Sequence, residues 1–372
     1  MQYDNYKWIW QYPNWTEFSW DNSKLEPKLR RCWLLLGKLI GYSSQIEYSD
    51  SELALDTLLS NILSSSQIEG ENLNAYSVRS SLARKLNISI ETPCPVSDRS
   101  EGVSNIMIDV LENWQQPLSF ARLAQWHLWL FPYHTPHIKV GEIRGEEPMQ
   151  VVSGRLDKPK VHFEAPPRQE LEVALSRFIE WFNSSLHDIS LDPLIRAGIC
   201  NLWFLTIHPF DDGNGRLARA LTDLTLTQAD QQSIRLYAFS FTILQKRNEY
   251  YRLLEESQKG SPNITQWLSW FLTTLIESIE SSLVQIERLL AKSRFWLKHR
   301  GLSLNKEQKK VLNRLLDGGE NGFELGINAS QYQKVAKVSK ATATRHLTDL
   351  LEKGLIRKTE QGGRSTRYLI EY

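Results

Sequence analysis

The chain has 372 residues, enough for two or three domains at about 150 residues each. Its composition, 41% hydrophobic and 23% charged, is that of a globular protein and excludes a mostly disordered chain. The 44 basic and 43 acidic residues nearly cancel, so any nucleic-acid binding must be confined to one segment.

Residues 1–100 are predicted to form an aromatic-rich, mainly helical N-terminal region. Aromatic and polar side chains alternate over residues 1–21 around Pro13, which predicts a short extended or hairpin piece. Leucines at helical spacing then predict one helix from Asn22 and a second over residues 51–67.

Residues 101–260 are predicted to form a helical core that contains one hairpin. The hairpin is indicated between residues 141 and 167, where glycine and proline flank two short runs rich in β-branched residues. Asp192 and Pro193 form a typical start for the next helix, which is apolar almost all round. This helix should end by His208, because Pro209 disfavours helical geometry at the preceding residue.

Residues 261–301 are predicted to form a long connector helix, and residues 302–372 a winged helix-turn-helix domain. Apolar residues recur at helical spacing over residues 265–298. In the C-terminal domain the patterns predict a first helix, a recognition helix and the two strands of a wing, at residues 330–336, 340–352, 355–358 and 366–369.

The C-terminal segment carries a net positive charge that the chain as a whole lacks. Residues 329–372 contain nine basic and four acidic residues, a net charge of +5. Double-stranded DNA is therefore a predicted partner, with phosphate and groove contacts expected from Thr342, Thr344, Arg345, Arg357 and Arg364. Winged helices also serve in dimerisation and protein docking, and that alternative stays open.

One run, from His208 to Arg219, carries several chemically active residues at fixed spacing. Gly213, Asn214 and Gly215 can adopt positive φ angles and form an anion-binding nest at the start of a helix. Arg216 and Arg219 share one face of that helix and can reach the same polyphosphate. Asp212 is placed to hold Mg²⁺, and His208 is a candidate general base.

This run resembles the signature of Fic-domain proteins, H-x-F-x-[DE]-G-N-G-R-x-x-R, at every fixed position. The resemblance implies a helical core that transfers AMP from ATP to a Ser, Thr or Tyr hydroxyl of a target protein. It implies that His208 is the base, Phe210 anchors the loop and Asp212 binds Mg²⁺. The phosphates would be held by Gly213, Asn214, Gly215 and Arg216, with Arg219 on the γ-phosphate.

Two further segments resemble parts of the Fic site. The predicted hairpin is similar to the family's flap, which binds the target protein by strand addition. Its nucleotide-side edge would be Val151, Val152, Ser153 and Gly154. Tyr250 and Tyr251 resemble the tyrosine pair of the nucleoside pocket, although Gln258 stands where many members have asparagine.

An upstream segment resembles the inhibitory motif of the same family, [ST]-x-x-x-E-[GN]. Here it consists of Ser65, Glu69 and Gly70. Ser65 and Glu69 fall on one face of a helix, and the resemblance implies that Glu69 occupies Arg219, so that ATP binds unproductively. A serine followed by Glu-Gly is also typical of a helix end, which is the structural alternative.

The sequence predicts an enzyme but leaves rivals open. The first is a DNA-binding transcription regulator whose core only senses nucleotide, and the second a Fic enzyme that moves another phosphate-linked group or removes AMP. Three distant cysteines exclude a disulfide framework, and neither a signal peptide nor a membrane span is indicated, so we expect a cytoplasmic protein. A homodimer is compatible with the sequence, which does not identify the target protein.

Overall fold

A computed structural model describes residues 6–43, 50–133, 135–155, 158–231, 236–318, 323, 325–359 and 366–372. The chain divides into two compact units, Met1–Ser282 and Leu283–Tyr372. The described residues are mainly helical, with two short antiparallel hairpins, which confirms the predicted fold class. No helix in these ranges is both long enough and apolar enough to cross a bilayer.

The first unit consists of helices and one hairpin. Its strands are β1 (Gln150–Arg155) and β2 (Lys158–Glu164), and its short 3₁₀ turns are Ile9–Gln11 and Ser185–His187. A further helix, α11 (Thr265–Lys298), starts in this unit and ends in the second. The other helices are α1 (Asn22–Ser43), α2 (Asp50–Ile68), α3 (Ala75–Lys85), α4 (Asp98–Glu112), α5 (Phe120–Leu130), α6 (Arg168–Ser184), α7 (Pro193–Ile207), α8 (Asn214–Asp230), α9 (Phe239–Gln245) and α10 (Arg247–Lys259).

Helix α7 is the centre of the first unit, and its sequence explains both of its ends. Asp192 caps the N-terminus by accepting a hydrogen bond from the Leu194 amide at 2.8 Å, with Pro193 in the first turn. Residues 194–207 are all buried, as their apolar pattern predicts. The helix ends where predicted, and His208 leaves it in the left-handed region with φ 52°.

The extended or hairpin piece predicted for residues 1–21 is wrong for its described part. Ile9–Gln11 is a 3₁₀ turn, and residues 12–17 continue as turns. The Gln11 side chain accepts hydrogen bonds from the amides of Lys7 and Trp8, which stabilises the turn locally. Trp8 is buried against the hairpin. The alternation of aromatic and polar residues in the sequence does not predict this burial, which favours the turn over an extended strand.

The second unit contains the elements predicted at the C-terminus together with one more helix. The described elements are α12 (Lys306–Asp317), α13 (Ala329–Ala336), α14 (Lys340–Glu352), β3 (Ile356–Lys358) and β4 (Tyr368–Ile370). Ser339 caps α14 and accepts a hydrogen bond from the Thr342 amide. Arg345 and Arg357 are exposed, whereas Arg364 lies outside the described residues.

Candidate active site

The loop between α7 and α8 is closed by one side chain. Asn214 Oδ1 accepts from the Phe210 amide at 3.0 Å, and Asn214 Nδ2 donates to the Phe210 carbonyl at 2.7 Å. Phe210 is fully buried and Gly213 adopts φ 79°. Of the three residues predicted to form the nest, Gly213 has a positive φ angle, whereas Asn214 and Gly215 do not, so the prediction is wrong for those two. Helix α8 begins at Asn214, and its N-terminal amides are left to face an anion.

His208 has the tautomer and the charge state that a general base requires. Its Nδ1 lies 3.2 Å from the Leu205 carbonyl, which can only accept, so Nδ1 carries the proton. The lone pair is therefore on Nε2. Burial, helped by the nearby Arg144 cation, lowers the pKa of His208 to about 4. The imidazole is neutral at physiological pH.

Arg144 is a buried residue of the site that sequence reasoning missed. Its Nε donates to the His208 carbonyl at 2.9 Å, and its amide donates to the Pro209 carbonyl at 3.0 Å. Its Nη2 donates to the Pro166 carbonyl beyond β2. Arg144 thus joins the His208 loop to the base of the hairpin. Its partners are backbone atoms, so no local pattern distinguishes it from a surface arginine.

His127 on α5 is the second residue that was missed. The Gly141 amide donates to its Nδ1 at 2.9 Å, so Nε2 carries the proton and donates to the Asp212 carbonyl at 3.1 Å. The ring stacks on Phe210 at a centroid distance of 4.3 Å. In the sequence, the signal that could have identified His127 was the presence of a histidine on the apolar face of α5.

The segment at the end of α2 contacts Arg219 as the inhibitory interpretation expects. Arg219 donates from Nε to Ser65 Oγ at 2.9 Å and from Nη2 to the Ser65 carbonyl at 2.8 Å. Its Nη1 lies 2.8 Å from Glu69 Oε1, and the two groups form an ion pair. Arg219 is 1% exposed, so Glu69 compensates an almost fully buried cation.

The charge of Glu69 is maintained by these contacts. Burial alone would raise the pKa of Glu69, but Arg219 and a hydrogen bond from Tyr251 bring that pKa below its usual value. Helix α2 ends at Ile68, and Gly70 follows with φ 83°. The helix-end interpretation of residues 65–70 is therefore confirmed, and the same residues place the Glu69 carboxylate beside Arg219.

Gly215 provides the space in which the Glu69 carboxylate lies. A Cβ atom added at Gly215 would fall 2.0 Å from Glu69 Oε1 and 3.2 Å from Arg219 Nη1. The carboxylate therefore lies against the first turn of α8, where the sequence predicts the ATP phosphates. A carboxylate and a phosphate compete for this position, because both are anions that accept from amides and guanidinium groups.

Arg216 is paired with a second carboxylate that the sequence analysis did not single out. Its Nη1 donates to Glu71 Oε2 at 2.6 Å, and Arg99 lies 3.3 Å from the other oxygen of Glu71. The Arg216 guanidinium packs over Phe131 at 5.0 Å. Its buried Nε finds no hydrogen-bond partner among the described residues, which leaves a donor for an anion.

The two predicted nucleoside-pocket tyrosines have different surroundings. The Tyr251 hydroxyl donates to Glu69 Oε2 and to the Ile68 carbonyl, each at 3.2 Å. Tyr250 is 1% exposed and packs against Trp267 and Trp270, and burial raises its pKa strongly. Of these two tyrosines, Tyr251 is the one that donates a hydrogen bond to the Glu69 carboxylate.

Asp212 is an exposed carboxylate beside the start of α8. Its Oδ1 accepts from the Gly213 amide at 2.6 Å, which fixes the side chain. Within the described ranges, no group of three or more His, Cys, Asp or Glu side chains could hold a metal ion by itself. Mg²⁺ often takes one carboxylate together with substrate phosphates, so the lone Asp212 fits that ion only with a nucleotide bound.

The hairpin is present where predicted, and β1 pairs antiparallel with β2. Val151 and Val152 on β1 are 38% and 50% exposed. Strand β2 is anchored by the N-terminal segment, because Trp8 packs edge-on against Phe163 and Trp10 Nε1 donates to the Glu164 carbonyl at 2.7 Å. The turn residues 156–157 lie outside the described residues.

Comparison with known families agrees with this geometry. Residues 117–226 match the model of the Fic/DOC family, and residues 8–88 match DUF4172, a domain of unknown function. The protein adenylyltransferases Fic of Drosophila virilis and Drosophila melanogaster are 33% and 32% identical to this chain over 95 residues. Those residues are 26% of this chain and 18% of each relative, so the chain spans less than a fifth of the curated relatives it matches.

Solved structures show the same fold. A Fic family protein from Desulfovibrio desulfuricans G20 matches with a TM-score of 0.50 and 18% identity, covering 92% of this chain and 96% of that one. Fic-1 from C. elegans matches with a TM-score of 0.50 and 20% identity, covering 72% and 73%. The chain carries a Fic/DOC domain over residues 117–226, within a Fic-type helical fold.

Proposed function

We propose that the protein is an adenylyltransferase that moves AMP from ATP to a hydroxyl of a target protein and is inhibited by its own Glu69. The observation that carries the proposal is the meeting of three groups at the start of α8. They are a neutral His208, Arg219, and a carboxylate seated beside Gly215 where an anion binds. The likeness to Fic adenylyltransferases over 95 residues supports AMP as the transferred group.

In this mechanism the chain positions the phosphates and takes one proton. The amides at the start of α8 and the guanidinium groups of Arg216 and Arg219 hold the polyphosphate. His208 Nε2 accepts the proton of the target hydroxyl as its oxygen attacks the α-phosphorus, and pyrophosphate leaves. Asp212 would hold a Mg²⁺ ion that binds together with the nucleotide, and this ion would supply charge neutralisation on the phosphates.

The proposed target site is the exposed edge of β1. An extended target segment would add to this edge through main-chain hydrogen bonds, and Val151 and Val152 would receive its apolar side chains. Arg144 connects the hairpin base to the His208 loop, so a segment bound at the hairpin is held in a fixed relation to the base.

Two rival functions are separated by one experiment. A nucleotide sensor would bind ATP unchanged and needs no base, whereas the imidazole of His208 is neutral and has its lone pair on Nε2. A Fic enzyme that moves another phosphate-linked group, or removes AMP, would use the same anion site.

In the experiment that tests these functions, a cell lysate is incubated with Glu69→Gly protein and ATP, and modified peptides are identified by mass spectrometry. AMP on Ser, Thr or Tyr supports the proposal, and unreacted bound ATP supports sensing.

The pH dependence of transfer tests the state of His208. A base with a pKa of about 4 is active above that pH and loses activity as pH falls through it. We therefore expect that His208 does not titrate between about pH 5.5 and 8, and that it causes no change in the kcat/KM of the Glu69→Gly protein over this range. The Glu69 charge raises this pKa, so its removal shifts the acid limb further down. An acid limb centred near the ordinary histidine pKa of about 6.5 would contradict the lowered pKa of His208.

For the C-terminal unit we propose binding of duplex DNA by α14 and the basic residues that follow it. Thr344 and Arg345 are exposed on α14, and Arg357 is exposed on β3. We expect the full chain to bind duplex with an affinity that falls steeply with salt, because phosphate contacts release counterions. Arg345→Ala should weaken binding and reduce the salt slope by about one.

The control for the DNA experiment is Arg177→Ala. This substitution removes the same charge from an exposed position on α6 in the first unit. It should leave the affinity for duplex unchanged. Equal loss in both variants, or no binding at low salt, would favour the protein-docking alternative for the second unit.

A further inference from the structure

The hairpin contains a β-bulge that changes the direction of one histidine. Val151 pairs with Phe163, but Val152 pairs with Val161, so His162 is an extra residue in β2 with no residue opposite. Bulges of this kind redirect a side chain and are common beside active sites. Neither target binding nor the proposed transfer to a target uses His162.

The redirected His162 lies between a hydroxyl and a carboxylate. Its Nε2 is 2.6 Å from Ser153 Oγ on β1, and its Nδ1 is 2.6 Å from Glu255 Oε2 on α10. Because the ionised carboxylate can only accept, Nδ1 carries the proton and the lone pair of Nε2 faces the Ser153 hydroxyl. A nucleophile, a base and a group that orients the base therefore form one chain, the arrangement that activates a serine.

The surroundings make this base rigid and leave the serine accessible. Phe163, the next residue after His162, is 1% exposed and packs on Trp8 at a centroid distance of 5.4 Å. The side chains of His162 and Glu255 are only 24% and 23% exposed, whereas Ser153 is exposed. A base held by packing needs little reorganisation, and an exposed hydroxyl can meet a reactant.

The position of Glu255 links this chain to the proposed phosphate site. Glu255 follows Tyr251 by four residues on α10, so the two side chains are neighbours on one helical face. Tyr251 hydrogen-bonds Glu69, which lies beside Gly215 at the start of α8. Ser153, His162 and Glu255 are therefore connected, through one turn of α10 and Tyr251, to the region in which the nucleotide is proposed to bind.

We infer that Ser153 is a self-modification site, whose hydroxyl accepts AMP from ATP with His162 as its base. The inference rests on the proposed function. In the step, Ser153 Oγ bonds to the α-phosphorus, the bond from that phosphorus to the bridging oxygen breaks, and pyrophosphate leaves. The Ser153 proton passes to His162 Nε2, and the imidazolium formed is stabilised by Glu255. Each turnover consumes one ATP and gives one phosphodiester at Ser153.

The test uses the full chain carrying Glu69→Gly, incubated with ATP and Mg²⁺ and mapped by peptide mass spectrometry. We expect AMP on Ser153, no AMP at that position in Ser153→Ala, and its return on the hydroxyl of Ser153→Thr. His162→Gln should slow labelling of Ser153 by about 10²- to 10⁴-fold, the usual contribution of a general base. The matched control is His187→Gln, an exposed histidine outside the hairpin, which should not change the rate.

The outcomes separate this inference from the proposed function. AMP on the chain but absent from Ser153 overturns the inference alone. So does a rate of Ser153 labelling that is the same in His162→Gln as in its parent, because the histidine would then be only a structural link. Absence of AMP from both the Glu69→Gly chain and lysate proteins overturns the proposed function and the inference together.

Discussion

Glu69→Gly is expected to raise the labelling of lysate proteins by ATP by about 10- to 100-fold. In the resting chain Arg219 is engaged by Glu69 and Ser65, so the γ-phosphate must displace a charged partner. A hydrogen bond to a charged group contributes about 1.5–3 kcal/mol, and about 1.4 kcal/mol corresponds to a factor of ten. The measurement is the initial rate of label transfer from ATP with Mg²⁺ in both proteins.

Two further variants test whether the gain comes from the lost charge of Glu69 and whether it acts through Arg219. Glu69→Gln keeps the bulk of the side chain and removes its charge, so it should give part of the gain. Adding Arg219→Ala to Glu69→Gly should remove most of the gain, because both changes act on one interaction and cannot be additive. A Glu69→Gly protein no more active than the unmodified chain would show that residues 65–70 only end α2.

His208→Ala, made in the Glu69→Gly background, is expected to lower label transfer to lysate proteins by about 10²- to 10⁴-fold. The substitution removes the Nε2 lone pair but leaves the phosphate contacts of Arg216 and Arg219, so the Kd for ATP should change little. Transfer is followed with labelled ATP, and binding by calorimetry.

The control for His208→Ala is His187→Ala, which removes an exposed imidazole that precedes the N-terminus of α7, whereas His208 follows its C-terminus. It should leave both the rate and the Kd unchanged. Turnover of His208→Ala equal to that of its parent would mean that another group takes the proton. A parallel loss of ATP affinity would mean that the loop itself had been disturbed.

Sequence reasoning succeeded where local signals determine structure. Helix α14 has the predicted bounds, Lys340–Glu352, because a serine cap precedes it and a Lys-Gly pair follows it. Helix α7 ends before Pro209 for a steric reason that is visible in the sequence. Residues 6–21 were predicted wrongly, because the burial of Trp8 against a distant strand is invisible to local periodicity.

The same distinction applies to the site. The run from His208 to Arg219 is contiguous, so its members could be named from one pattern. Arg144 and His127 act on backbone carbonyls that lie 64 and 85 residues away along the chain, and neither contact has a local signal. Glu71 was missed for a simpler reason: it stands two residues after Glu69, and its pairing with Arg216 belongs to no motif that the sequence analysis used.

Gly215 constrains how the proposed inhibition could be lost during evolution. The same missing side chain leaves room for the Glu69 carboxylate in the resting state and for a phosphate in the proposed active one. A larger residue at this position would expel the inhibitor and obstruct the substrate in one step, so it offers no route to a permanently active enzyme. Constitutive variants should therefore arise in the segment that contributes Glu69, and the signature loop should stay unchanged in both regulated and unregulated descendants.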